Sequence, residues 1–336
     1  MTASIGYRVL DDKELASLAN DRREFANDVL LGLSERPKHL SSRFFYDERG
    51  SELFRQIMDL EEYYPTNCER SIFEAHGATL AERFANQQVE VVDLGAGDGV
   101  KSFILLAYMA NTCAALCYRP IDISEGAMQT LVAAARLALP NLMAEGLVSD
   151  YSDGLEWLAQ QPTDASRLVL FLGSNIGNFN AAQARAFLRR LWGSLRDGDH
   201  LLIGFDLKKD IDLFLNAYND KFGITAAFNL NLLDRINREL GGHFDCDKFR
   251  HFGTYDVFSG AMESYLVSLE EQHIRIDALS HTFHFKAWEP IHTEYSYKYL
   301  RSDINSLAET TGFSIEAEWT DDKAWFIDSL WRVVKQ

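Results

Sequence analysis

The sequence predicts an α/β protein centred on a doubly wound parallel sheet and accompanied by a second lobe. Three observations point there. Strand and helix signals alternate between Val89 and Leu207, with apolar strand candidates at Val89-Glu90-Val91-Val92, Leu116 to Ile121, Val169-Leu170-Phe171-Leu172 and Leu201-Leu202-Ile203-Gly204-Phe205. A turn bearing three glycines, Asp93-Leu94-Gly95-Ala96-Gly97-Asp98-Gly99-Val100-Lys101, joins the first of these strands to the helical run Phe103-Ile104-Leu105-Leu106. The chain of 336 residues also exceeds one ordinary core, so two lobes are expected.

The flanks read differently. Residues 12 to about 85 are polar-to-amphipathic helix material, with apolar positions at helical spacing in Ser51-Glu52-Leu53-Phe54-Arg55-Gln56-Ile57-Met58. Residues 208 to about 262 return to helix-rich sequence, notably Asp212 to Tyr218 and Leu230 to Leu240. Beyond them Glu263 to Ser268, His273 to Ile276 and His281 to Phe285 alternate as antiparallel strands with one wet face do. Phe313 to Trp319 and Trp325 to Val334 are the last two strand candidates.

Composition narrows the partners. With 22 Phe, 13 Tyr and 6 Trp there is ample material for buried cores, and six prolines without a repetitive tract argue against disorder. A net charge of −17 repels nucleic acid and anionic membrane surfaces and leaves small molecules as the expected partners. Met1 to Arg8 lacks a basic region followed by an apolar core, and no window approaches 18 uninterrupted apolar residues, so a cytoplasmic protein is expected. Cys113 and Cys117 are spaced to share a helix face, but no second Cys pair or His partner follows nearby to complete a zinc set. His281 and His284 fall on opposite faces of a strand, and no metal site is expected from them.

The glycine turn is the richest local signal, because backbone N–H groups there can approach a ligand where side chains would block it. In the dinucleotide fingerprint G-x-G-x-x-G the third glycine lets helix and strand pack closely, and here Val100 stands in its place. Asp93 followed by Gly95, Gly97 and Gly99 instead resembles the D-x-G-x-G-x-G first motif of S-adenosylmethionine-dependent methyltransferases. That ligand carries a sulfonium and no phosphate, so a carboxylate beside the loop suits it. A second strand candidate ends at Asp122, where a carboxylate can accept from two ribose hydroxyls. A third ends at Asp150-Tyr151, an acid for the adenine amino group and a ring for its face. Each acid alone is more often a helix N-cap or turn former; three at successive strand ends favour a cofactor site. A nicotinamide-dependent oxidoreductase or a non-catalytic nucleotide-binding protein on the same sheet is the competing reading, disfavoured by Val100 and by the absence of a catalytic His or Lys constellation near the strand ends.

Longer stretches are similar to the Nα-methyltransferases that make hercynine from histidine in ergothioneine biosynthesis. They are Phe45 to Phe54, Leu60 to Thr66, Phe171 to Phe179, Ala217-Tyr218-Asn219-Asp220 and Thr293 to Lys298. The resemblance implies a Rossmann-like class I methyltransferase domain, residues 65–207 plus 297–336, and a second α+β substrate-recognition domain from the flanking segments 10–64 plus 208–296. The active site is then expected in the cleft between the lobes. Gly95, Gly97, Lys101, Asp122, Asp150 and Tyr151 would bind S-adenosylmethionine.

Asn178, by the same resemblance, would fix the amino-acid zwitterion, since its amide both donates and accepts. Tyr218 would bond the same carboxylate, and Tyr46 and Tyr63 would orient the amine, making Tyr46, Tyr63 and Asn178 the catalytic candidates. Glu294 and Ser296, two apart on a strand and therefore on one face, suit the two nitrogens of an imidazole. Ser264 stands where histidine-specific members usually carry methionine, which leaves tryptophan, tyrosine or a modified histidine as alternative substrates. The expected partner is a small amino acid, handled by a monomer.

Overall fold

The computed structural model describes residues 5–9, 14–161 and 163–335, with side chains described from Arg22 onward. The expected lobe boundary at residue 10 lies outside these residues. In chain order the elements are β1 (Ile5–Val9), α1 (Glu14–Ser34), β2 (Lys38–His39), α2 (Glu48–Met58), α3 (Tyr64–Glu82), β3 (Gln88–Leu94), α4 (Val100–Thr112), β4 (Ala115–Asp122), α5 (Glu125–Ala138), β5 (Met143–Val148), α6 (Tyr151–Ala159), β6 (Ser166–Phe171), α7 (Ala181–Ser194) and β7 (His200–Asp206). There follow α8 (Ile211–Tyr218), α9 (Ile224–Leu240), β8 (Phe249–Asp256), β9 (Ala261–Ser268), β10 (Gln272–Ile276), β11 (His281–Phe285), β12 (Pro290–Tyr297), α10 (Arg301–Thr311), β13 (Phe313–Thr320) and β14 (Phe326–Val333).

The chain divides into two compact units. One comprises residues 65–209 and 297–335 with β1 added at its edge; the other comprises residues 14–64 and 210–296.

The first unit is built on an eight-stranded sheet of order β1-β5-β4-β3-β6-β7-β14-β13. Its strands pair in parallel from β1 through to β7, while β14 runs antiparallel to β7 and to β13. This is the doubly wound, Rossmann-like arrangement, closed at one edge by an antiparallel hairpin. The central strands are buried on both faces and therefore read as nearly continuous apolar runs. Val92, Val169, Ile203 and Phe205 point into one core, and Val91, Leu168, Leu170 and Leu202 into the other. Winding leaves β3 toward β4 and β5 on one side and toward β6 and β7 on the other. The carboxyl ends of β3 and β6 thus lie at the switch of direction, where open α/β sheets place their ligands.

The second unit carries a four-stranded sheet of order β2-β12-β9-β8 and the two-stranded hairpin β10-β11. Phe25, Phe45, Leu53 and Ile57 from its early helical segments share one core with Phe228, Leu232 and Ile236 of α9 and Phe249, Leu266 and Ile291 of the strands.

Four local expectations need correction or addition. The stretch after α9 is not helical throughout: Phe249–Asp256 forms β8, paired antiparallel with β9. Gly253 disguises that strand, and its backbone lies against the Asn219 side-chain amide, donating to Oδ1 at 2.9 Å. Cys113 and Cys117 do not share a helix, because Cys113 caps the end of α4 and Cys117 lies within β4. The edge strand β1 and helix α10 were not anticipated. Among the described residues no helix is long and apolar enough to cross a membrane.

Candidate active site

Strand β3 delivers the glycine turn. Gly95, Gly97 and Gly99 all adopt the left-handed region, with φ of +72°, +57° and +72°. A Cβ on Gly95 would sit 2.6 Å from the Tyr151 hydroxyl and 3.0 Å from Asn175 Nδ2, whereas one on Gly97 would meet nothing within 4 Å. The space over Gly97 is open to a ligand. Gly99 is the N-cap of α4 and brings no side-chain cap, while the neighbouring Asp98 accepts from Val100 N at 3.1 Å.

The acids divide their work. Asp122, at the end of β4, accepts from Gly97 N at 2.8 Å through Oδ2 and from Ser124 N at 2.9 Å through Oδ1. With Ile123 N as a further backbone donor, the carboxylate still has capacity to accept from a ligand hydroxyl. Burial raises its carboxyl above the usual range, opposed by those backbone donors. Asp150 is the N-cap of α6, with Oδ1 accepting from Ser152 N at 2.7 Å and Asp153 N at 2.9 Å. The capping role foreseen as an alternative is thus real, and Oδ2 takes no part in it. Tyr151 packs edge-on to Phe171 at 5.5 Å and lies near Phe187 at 5.8 Å. Asp93 is fully buried and accepts from Ser102 and from the Tyr118 hydroxyl; desolvation pushes its carboxyl up to about 6. Lys101 ion-pairs with Glu69 of α3.

Asn178 closes the short 3-10 turn Asn175–Asn178 that follows β6. Gly173 and Ser174 enter that turn with φ of +71° and +56°, and Ser174 Oγ accepts from Asp206 N at 3.0 Å. Gly177 lies so close to Tyr297 that a Cβ would stand 2.9 Å from its carbonyl oxygen. Asn178 itself is half-buried.

The second unit assembles an aromatic chain. Tyr46 lies 5.5 Å from Phe54, Phe54 lies 6.2 Å from Tyr63, and Tyr63 lies 6.4 Å from Tyr218, all in edge-to-face geometry. The Tyr218 hydroxyl donates to Ser296 Oγ at 2.6 Å, and both residues are buried. Tyr46, Tyr63, Tyr218 and Ser296 are therefore brought together. Tyr46 is held from behind as well: Asp47 caps α2 through Gly50 N at 2.7 Å and accepts from Asn231 Nδ2 of α9 at 2.8 Å. Glu294 lies on β12 two residues before Ser296 and is half-buried. Ser264 is buried on β9 opposite Gly253 of β8. Its carbonyl lies 3.0 Å from Thr293 Oγ1, which also reaches Asn229 Oδ1 at 2.8 Å, tying β9, β12 and α9 together next to Glu294.

Several polar residues were missed by the reading of the sequence: Asn175 beside Gly95, Glu69 beneath Lys101, buried Asp328 on β14, and Asp206 paired with Lys209 and Lys298. Asp328 had a legible signal, an acid inside the apolar run Phe326-Ile327-Asp328-Ser329-Leu330-Trp331. Glu69 had none, since its partners are distant in sequence.

Residues 25–333 match the family model described as histidine-specific methyltransferase, S-adenosylmethionine-dependent. The chain belongs to this family. It is a methyltransferase that uses S-adenosylmethionine. Among curated relatives, histidine N-alpha-methyltransferase of Mycolicibacterium smegmatis is 36% identical over 88% of this chain and 90% of its own length. The protein of the same name in Mycobacterium tuberculosis is 35% identical over 90% and 93%. Ergothioneine biosynthesis protein 1 of Neurospora crassa is 30% identical over 93% of this chain, which spans about a third (35%) of that longer protein.

The residues of this methyltransferase fit its cofactor on structural grounds: left-handed glycines with open space at Gly97, and an Asp122 carboxylate with capacity to accept from a ligand hydroxyl.

Proposed function

We propose that this enzyme methylates the α-amino group of L-histidine, three times in succession, to give the trimethyl betaine hercynine. The observation that carries the reading is the linked set Tyr46, Tyr63, Tyr218 and Ser296, with Glu294 on the same strand as Ser296. It offers aromatic faces, hydroxyls and one carboxylate, the complement of a cationic amine joined to an imidazole.

In this reading the unit bearing the parallel sheet binds the cofactor through Gly95, Gly97, Lys101, Asp122, Asp150 and Tyr151, and the other unit recognises the amino acid. When bound, S-adenosylmethionine supplies a methyl group already activated on sulfur. The protein then has to align, desolvate and deprotonate the amine, whose solution pKa is ~8 to 9. Asn178 holds the zwitterionic end, Tyr218 turns its hydroxyl from Ser296 to the substrate carboxylate, and Tyr46 and Tyr63 orient the amine and pass its proton to water. Aromatic faces also tolerate the trimethylammonium that accumulates. Glu294 accepts the imidazole N–H and Ser296 meets the other ring nitrogen. The protein works as a cytoplasmic monomer, without nucleic acid.

Ser264 favours a second reading, the same chemistry on tryptophan, tyrosine or a modified histidine, because a small buried hydroxyl shapes a different wall from methionine. Labelled S-adenosylmethionine offered with each amino acid separates the two. The greatest kcat/KM is expected for histidine, and Ser264→Met is expected to narrow the range accepted. No label in histidine ends the first reading.

A further inference from the structure

Glu69 is completely buried in α3, yet it carries three attachments in the cofactor-binding unit. Its carboxylate ion-pairs with Lys101 at the start of α4. It accepts from Gly173 N, at the end of β6, at 2.8 and 3.0 Å through its two oxygens. Its third neighbour is Asp328 on β14, a fully buried carboxyl to which no conventional donor is directed.

The backbone is shaped for this cluster. Asp328 lies directly across from Gly204 in the β14-β7 ladder, and a side chain on Gly204 would collide with Glu69 Oε1. Two ionised carboxylates sharing one dry site repel strongly, so one of them keeps a proton. Burial and the neighbouring Glu69 charge raise Asp328 well above the usual carboxylate range, which makes it the protonated partner. A protonated Asp328 donates an O–H to Glu69 and resolves its own missing donor. Glu69 then accepts from an ammonium, a backbone N–H and a carboxylic acid, and the set of three side chains is neutral.

We propose that Glu69 is a positioning residue for the methyl donor: by clamping Lys101 and Gly173 together, with Asp328 as its neutral donor, it fixes α4 and the loop after β6 in one cofactor-competent arrangement. The inference rests on the reading of Lys101 as a cofactor residue. Lys101 is only partly exposed and its ammonium is ion-paired with Glu69, so removing that acid frees a long side chain at considerable entropic cost to any ligand that must recapture it.

The test is titration of the folded variants with S-adenosylhomocysteine, together with KM and kcat for S-adenosylmethionine and thermal midpoints. Glu69→Gln is expected to weaken product binding about tenfold or more, worth ~1.4 kcal/mol, and to raise KM for the donor more than it lowers kcat. Glu69→Asp, which draws the charge back by one methylene, replaces it if the amide variant does not fold. Asp328→Asn, which keeps a donor, is expected to bind S-adenosylhomocysteine several-fold more tightly than Asp328→Leu. Normal binding by Glu69→Gln, whatever its thermal midpoint, overturns the inference if Lys101→Met binds weakly. Normal binding by Lys101→Met overturns the cofactor reading of Lys101 and the inference with it. Equal binding by the two Asp328 variants overturns the donor role.

Discussion

Asp93 shows how a single buried carboxylate sets a pH dependence of defined sign. Its native carboxyl titrates at about 6 against an ordinary value of 3.8, because burial outweighs the hydrogen bonds from Ser102 and Tyr118. A group whose native pKa is raised stabilises the fold below its unfolded pKa and loses that contribution as pH rises through the native value. Wild-type unfolding free energy should therefore lose roughly 2 kcal/mol between pH 4 and pH 6 on account of this residue, out of about 3 kcal/mol over the whole titration. Asp93→Asn, which can still accept from both hydroxyls, should flatten the profile over that window in denaturant titrations; an unchanged slope contradicts the assignment. Residue-level legibility was uneven for a physical reason. The acids at strand ends follow from topology, so Asp93, Asp122 and Asp150 could be read from spacing. The Glu69–Asp328 pair joins side chains 259 positions apart (328 − 69) and becomes visible only once α3 and β14 meet beside Gly204.

At the scale of elements, the turn between β3 and α4 separates steric from ligand effects. Gly95 and Gly97 have similar left-handed torsions, so alanine at either should cost about 1 kcal/mol or more from backbone strain. Only at Gly95 does the added methyl also meet Tyr151 and Asn175. Gly95→Ala is accordingly expected to lower the thermal midpoint more than Gly97→Ala does. Gly97→Ala should nonetheless lose most of the stabilisation that S-adenosylhomocysteine gives the wild type, since its methyl occupies the open space over the loop. Undiminished stabilisation of that variant contradicts a ligand there. The central strands β3, β6 and β7 were legible because parallel strands buried on both faces are largely apolar, whereas β4 is only partly buried and carries Arg119 and Pro120. Strand β8 was not, because Arg250, Phe252 and Gly253 break its pattern: Phe252 is exposed, and Gly253 is chosen for its approach to Asn219. Edge strand β1 escaped notice because five residues paired on one side only leave little periodic signal.

At the scale of the whole molecule, the order of segments along the chain is the informative quantity. The α/β alternation from Val89 to Leu207 was legible as one sheet, and the helix-rich and strand-rich flanks were legible as material for a separate lobe. That residues beyond 297 return to the sheet, through α10 and the β13-β14 hairpin, followed from the resemblance more than from periodicity, since a closing hairpin alternates like any other. The large negative charge agrees with an enzyme of small zwitterionic substrates rather than polyanions. The central claim is that the methyl group goes to the α-nitrogen of histidine. Locating it directly decides the matter: purified enzyme is incubated with L-histidine and S-adenosylmethionine carrying a 13C-methyl group, and the product is examined by NMR. The account predicts labelled methyls on the α-nitrogen alone, accumulating to the trimethyl form. A label on an imidazole nitrogen, or none on histidine at all, would contradict it.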